Sequence, residues 1–126
     1  MYLFPRPKAN DMLQPMRHFV LVLALTTSVF AAGEWYTGGT LHKKTGLEWL
    51  QAMYDNRLAT AADFYQVMSK PKNLDDAKDK ATALESCITQ SLTKPKDVPY
   101  SKWKVVQERP VGEMALTCGT LLGFRN

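Results

Sequence analysis

Residue types that build catalytic sites are scarce in this chain. Its 126 residues include two cysteines, Cys87 and Cys118, and two histidines, His18 and His42. The cysteines are too far apart in sequence for a C-x-x-C redox motif. The chain also contains no G-x-S-x-G motif, which would mark a serine nucleophile. These absences favour a protein that is not an enzyme.

The sequence also has too few ligands of the right kind for a metal site. His42 is the only histidine after residue 31, and Lys43 and Lys44 follow it directly. A metal site needs several suitably spaced ligands, and two neighbouring ammonium groups would repel a cation. We therefore predict no metal and no cofactor. A small enzyme or metal protein centred on His42 is kept as an alternative.

The chain has little excess charge of either sign. It contains 16 Lys+Arg and 12 Asp+Glu, a formal net charge of +4. Residues 32–126 alone carry 13 basic and 11 acidic residues, a net charge of +2. This balance, without basic residues interleaved with aromatics, predicts no nucleic-acid binding.

One long hydrophobic run is present near the N-terminus, within residues 16–31, MRHFVLVLALTTSVFA. A basic start, an apolar run and small residues follow in the order of a secretory signal peptide. The run is shorter than the roughly 20 residues of a membrane helix. We predict cleavage after Ala31, no membrane span in the mature protein, and a periplasmic or secreted location. Translation then starts at Met16, or residues 1–15 form a long extension from Met1.

Residues 32–126 are predicted to form a single all-α domain of four helices. The capping box of Thr45 and Glu48 indicates a first helix from Gly46 to about Tyr54, with Leu47, Leu50 and Tyr54 on its inner face. Apolar spacing then predicts three more helices. They are 57–69, which Asp55-Asn56 can cap; 74–92, with Leu74 on its inner face; and one with Pro110 in its first turn and Leu121 on its inner face, which Gly123 ends. The connection 93–109 is strand-like or helical, and its pattern does not decide between the two.

An exported chain with two cysteines is expected to pair them. Cys118 lies at the centre of the apolar stripe of the fourth helix, and Cys87 flanks the stripe of the third. The phases of both helices turn the two side chains inward. We therefore predict one inter-helix disulfide between Cys87 and Cys118.

Aromatic residues are the main candidates for contact with a partner. Trp49 lies off the predicted inner face of the first helix, and Trp35 and Tyr36 precede the glycine pair at residues 38–39. Trp and Tyr are enriched at protein interfaces. These three residues and His42 are the predicted partner-binding set. Asp63 is predicted to be structural, accepting hydrogen bonds from the segment 40–42.

Residues 38–65, GGTLHKKTGLEWLQAMYDNRLATAADFY, resemble a motif of small exported bacterial proteins of poorly defined function. The matching positions are Thr40-Leu41-His42, Trp49 and the run from Asn56 to Phe64. This resemblance implies an exported protein and assigns no activity. In size, export signal and disulfide, the chain is loosely similar to Rap/Tai-type periplasmic immunity proteins and to HdeA-like chaperones.

The function predicted from the sequence is that of an exported, non-enzymatic protein that binds a protein partner. The resemblance to immunity proteins implies a secreted toxin as that partner. An HdeA-like stress chaperone is an alternative, although such chaperones depend on many carboxylates and the mature chain has a net charge of +2. The oligomeric state is left open.

Overall fold

Five α-helices make up the part of the chain that the computed structural model describes, residues 34–125. They are α1 Gly46–Gln51, α2 Tyr54–Met68, α3 Leu74–Leu92, α4 Tyr100–Gln107 and α5 Val111–Leu121. No β-strand occurs among these residues, apart from an isolated bridge between Thr45 and Pro110. The all-α prediction is confirmed. The predicted signal peptide and its cleavage site lie outside the described residues.

The first helix is shorter than predicted, although its start is as expected. Thr45 accepts from the backbone of Glu48, and the Glu48 carboxylate accepts from the backbone N–H of Thr45, so the capping box is present. The helix ends at Gln51 because Ala52 and Met53 adopt extended conformations. The inward face therefore carries Trp49, whereas the predicted inner residues Leu47 and Tyr54 are exposed.

The second helix begins three residues earlier than predicted. The Met53 carbonyl accepts from the backbone of Asn56 and Arg57, which places Asn56 inside the first turn. Asn56 is therefore not the helix cap that the sequence indicated. Its side chain instead bonds Thr40 twice, at 2.9 and 2.8 Å. The Asn56 side chain thus binds a distant segment and does not cap its own helix.

The connection 93–109 contains an additional helix, α4. The described residues therefore contain five helices where the sequence predicted four. The pattern of this connection was ambiguous because the contacts that fix it are tertiary. The indole of Trp103 donates to the Leu92 carbonyl at 2.9 Å, and the Gln107 amide donates to the same carbonyl at 3.2 Å. These bonds satisfy the C-terminal end of α3, which would otherwise lack a partner there.

The core lies where α2, α3 and α5 pack on one another, with α1 closing one side of α3. Its fully buried large side chains include Trp49, Leu84, Ile88, Leu92 and Val111. The disulfide between Cys87 and Cys118 links α3 to α5, as predicted, with the two Cα atoms 5.9 Å apart. Leu74 and Leu121, which the apolar spacing also placed inside, are exposed because they stand at helix ends. Among the helices of residues 34–125, none has the length and apolar character needed to cross a membrane.

Candidate functional site

A short non-helical segment, residues 39–44, which turns at His42 and Lys43, brings the only described histidine to the second helix. We call this segment the arm. Leu41 is buried, and its backbone N–H donates to the Thr60 hydroxyl at 3.3 Å. Gly39 lies so close to the backbone of Thr60 that a Cβ there would be 2.6 Å from the Thr60 nitrogen. The arm is therefore held along α2 by a glycine contact and by side-chain hydrogen bonds.

At the end of the arm, His42 contacts Asp63 on α2. The distance between His42 Nε2 and Asp63 Oδ2 is 2.8 Å. A carboxylate only accepts hydrogen bonds, so Nε2 carries the hydrogen and Asp63 orients the ring. The ring also packs edge-on against Phe64, with the centroids 5.5 Å apart. Both polar side chains are between a third and two fifths exposed, so ligands can reach them.

The His42–Asp63 pair stands at the edge of an apolar groove between α2 and α5. We call this the α2–α5 groove. Its volume is about 610 Å³, within the range of roughly 300–1,000 Å³ typical of ligand sites. The apolar side chains that line it are Phe64, Val67, Met68, Ala115 and Leu116. Gly112 and Glu113 at the start of α5 complete the lining.

Large apolar side chains are exposed to solvent along the groove. Val67 is 88% exposed and Leu116 is 48% exposed, and both lie along the groove. Met68, which also lines the groove, packs against Gly119 of α5, where an added Cβ would overlap its sulfur. Large exposed apolar side chains grouped in a concavity are typical of an interaction site.

A second polar cluster, which the sequence did not indicate, lies inside the domain. Arg57 Nε donates to Glu85 Oε1 at 2.8 Å, and the Thr89 hydroxyl donates to the same oxygen at 2.9 Å. The Trp49 indole donates to Thr89 at 3.0 Å. Glu85 is the one buried carboxylate of the described residues. Its position in the Leu84–Ile88 part of the apolar stripe is the signal that could have identified it.

This cluster corrects the prediction for Trp49. The residue is 0% exposed and belongs to the core, so it does not form part of a partner surface. The sequence suggested exposure because the helix face was assigned from Leu47, Leu50 and Tyr54. The early end of α1 and the hydrogen bond to Thr89 turn Trp49 inward instead.

The other predicted partner residues lie in different places. Trp35 and Tyr36 are half-buried, stack edge-to-face with centroids 5.2 Å apart, and pack against the core. Neither lines the groove that the structure forms between α2 and α5. Of the predicted partner-binding set, only His42 reaches this groove, where it is joined by the predicted structural residue Asp63.

The described residues contain no group of three or more His, Cys, Asp or Glu side chains that could hold a metal ion. His42 and Asp63 are two possible ligand residues, fewer than a metal site needs. The pair is nonetheless close to a concave surface, which is the geometry that the alternative of an enzyme centred on His42 requires. A histidine oriented by a carboxylate can act as a general base.

Comparison of the chain with protein-family models, with curated proteins and with solved structures gave no match. The resemblance to exported bacterial proteins and the looser similarity to immunity proteins and HdeA-like chaperones therefore remain predictions.

Proposed function

We propose that this chain is an exported, non-enzymatic binding protein, and that the α2–α5 groove is its partner-binding surface. The observation that carries the proposal is the exposure of Val67 and Leu116 along a groove of about 610 Å³. A protein partner that covers these side chains removes apolar surface from water, at about 25 cal/mol per Å². The disulfide between Cys87 and Cys118 supports an oxidising compartment, and hence export.

We propose more specifically that the protein is periplasmic or secreted and that it has an immunity-type role. An immunity protein binds a toxin enzyme and needs no catalytic group of its own, which agrees with a site made mainly of apolar side chains. The HdeA-like alternative gains less support. The groove brings the exposed side chains of Val67 and Leu116 together in one concavity, which suits one defined partner better than the many unfolded clients of a stress chaperone.

The second candidate function is an enzyme that uses His42 as a base. The 2.8 Å contact with Asp63 at the edge of the groove favours it specifically. The groove supplies apolar walls for a substrate, and Glu113 is a further carboxylate at its lining. Against this, Ser, Thr and Cys side chains are not among the groove-lining residues of the described chain, so the attacking group would have to be water.

Affinity capture from cell-envelope extracts of the native host tests the two candidates together. The tagged mature protein is compared with Val67→Lys, which places a charge on the groove, and with His42→Ala. Val105→Lys is the matched control, because Val105 is 64% exposed on α4 and does not line the groove. A partner retained by Val105→Lys and lost by Val67→Lys supports the binding protein.

A different set of results would support the enzyme. In that case no partner is captured, and the purified protein shows a turnover that disappears in both His42→Ala and Asp63→Asn. Val67→Lys and Val105→Lys retain their fold in circular dichroism under either outcome, because both side chains are exposed in the wild-type protein.

A further inference from the structure

The α2–α5 groove, proposed above as the partner surface, also carries information about the chemistry of its occupant. We propose that the groove binds an amphipathic α-helix of the partner, with a Lys or Arg side chain placed against Asp63 and Glu113. The inference rests on the proposed binding function. It adds the shape of the bound segment and the sign of its charge.

The exposure of the groove walls favours a macromolecule over a small ligand. Val67 is 88% exposed at the groove edge, although it lines the same concavity as the more enclosed Phe64 and Ala115. A small molecule in the concavity would cover only part of the Val67 side chain. A segment that lies along the groove covers the enclosed side chains and Val67 together, and so buries more of the apolar surface.

The architecture favours a helix over an extended peptide. Residues 34–125 contain no β-strand whose edge could accept an added strand. A polyproline segment would need a groove rich in aromatic side chains, and Phe64 is the one Phe, Tyr or Trp in this lining. Recognition of an acidic or phosphorylated motif needs basic side chains, which this lining lacks. A helix whose apolar face enters a hydrophobic groove is the mode that fits this mainly apolar lining best. Met68 contributes an unbranched side chain that adapts to such a partner.

The charges of the groove lining determine which sign of charge the bound helix should carry beside its apolar face. The nine groove-lining residues of the described chain include two carboxylates, Asp63 and Glu113, and no Lys or Arg. Asp63 uses one oxygen for His42, and a carboxylate has further lone pairs for a cation. Arg109 approaches Glu113 at 3.9 Å, but both side chains are more than half exposed, so solvent screens this pair. A basic side chain can therefore join either carboxylate.

The test is a selection from a displayed library of random 16-residue peptides, using the folded mature protein as bait. Peptides enriched on wild-type protein and on Val105→Lys, but not on Val67→Lys, define groove binders. We expect these to have apolar residues at helical spacing and an excess of Lys and Arg over Asp and Glu. A selected peptide should become helical on binding, which circular dichroism detects.

The charge requirement is tested with the same peptide. Its affinity should fall by roughly two- to fivefold on Asp63→Asn, and by a similar factor on Glu113→Gln, the range expected for exposed ion pairs. Higher salt should weaken binding to the wild-type protein and change binding to the double variant less. Replacing the basic residue of the peptide with Glu should weaken binding more than replacing it with Gln.

Three results would overturn the inference. Groove binders without a basic excess would remove the charge requirement, and binders that remain extended would remove the helix, but either result leaves the proposed binding function in place. A selection that yields no groove-dependent peptide overturns the inference. The proposed function fails as well only if affinity capture also finds no partner that depends on Val67.

Discussion

Arg57 and Glu85 form an ion pair across the α2–α3 interface, with Arg57 Nε donating to Glu85 Oε1 at 2.8 Å. The Glu85 side chain is 7% exposed and that of Arg57 is 18% exposed. Arg57 also donates through Nη1 to the Ala52 carbonyl at 2.9 Å, which satisfies the end of α1. The pair therefore ties α1, α2 and α3 together in the interior of the domain.

Replacing one partner of this pair is expected to be costly. Glu85→Ala leaves the partly buried guanidinium of Arg57 without its carboxylate and removes the acceptor of the Thr89 hydroxyl. Breaking a buried pair typically destabilises a protein by about 3–5 kcal/mol. Urea unfolding followed by tryptophan fluorescence measures the loss. For this pair we expect a value near the lower end, because Arg57 is partly exposed.

The double variant Arg57→Met/Glu85→Leu is the informative control. It removes both charges and fills the site with apolar side chains, so it should be more stable than Glu85→Ala. The expectation would be contradicted if the double variant were no more stable than Glu85→Ala. In that case the hydrogen bond from Arg57 to Ala52 would be the larger contribution.

The same network explains why the sequence predicted the helices better than their buried faces. Helical spacing located Ala77, Leu84 and Ile88, since these residues repeat along one face of α3. Glu85 and Trp49 depend on partners 28 and 40 residues away in the chain. Local periodicity does not contain that information, and so the sequence assigned Trp49 to the surface.

The groove could not be predicted from the sequence either, for a related reason. Its lining comes from the arm, α2 and α5, which are far apart in the chain. The contact between Asp63 and the arm was predicted, because both belong to one short motif. Val67 and Leu116 could not be recognised as neighbours, because each has an ordinary place on its own helix. Tertiary packing alone places them in one concavity.

The disulfide prediction can be tested thermodynamically. Cys87 and Cys118 are separated by 31 positions, and closing a loop of this size contributes roughly 3–4 kcal/mol in the chain-entropy model. Cys87→Ser/Cys118→Ser should lower the free energy of unfolding by that amount or less. Wild-type protein in reductant is the matched comparison. If reduction left the unfolding midpoint unchanged, the cross-link would have no role in stability.

Glu48 gives a prediction about pH. Hydrogen bonds from the backbone and then the hydroxyl of Thr45, with a smaller contribution from the charge of Lys44, hold the pKa of Glu48 below its usual value of 4.5. A lowered folded-state pKa means that the stabilisation is fully present above the unfolded-state pKa. It is lost as pH falls through the folded-state pKa.

The comparison is made with Glu48→Gln, which keeps a side chain able to accept the capping bonds. Wild type should be the more stable protein near neutral pH, and the difference should disappear in acid below the folded-state pKa. Glu108→Gln removes an exposed carboxylate that takes no part in the capping box, and serves as the control. A difference between wild type and Glu48→Gln that persists unchanged at the lowest pH would contradict the assigned cause.

Export with cleavage after Ala31 is tested by the mass of the protein isolated from its native host. The expected product begins at Ala32, because residues 16–31 have the order of a signal peptide. Replacing Ala31 with a bulky residue should block cleavage at this position, since signal peptidases require a small side chain there. A mature product that still begins at Met1 or Met16 would contradict both the cleavage and the proposed route of export.

The arm provides the last prediction, through the contact of Gly39 with Thr60. A Cβ on Gly39 would lie 2.6 Å from the Thr60 nitrogen and 2.7 Å from its Cα, and backbone atoms of a helix cannot move away easily. Gly39→Ala should therefore displace the arm from α2 and weaken the contact between His42 and Asp63. Overpacking of this kind costs about 1–3 kcal/mol. Hydrogen exchange of the Leu41 amide, which now bonds Thr60, reports the displacement directly.

Gly112→Ala is the matched control for Gly39→Ala. At Gly112 the nearest atom to an added Cβ is the His42 carbonyl at 3.9 Å, an ordinary contact, and alanine is favoured over glycine within a helix. Gly112→Ala should leave Leu41 protected and should not destabilise the domain. If Gly39→Ala instead matched Gly112→Ala in stability and in Leu41 protection, then the arm would not depend on this close approach. The position of His42 at the groove would in that case be maintained by its bond to Asp63 and by the two bonds between Thr40 and Asn56.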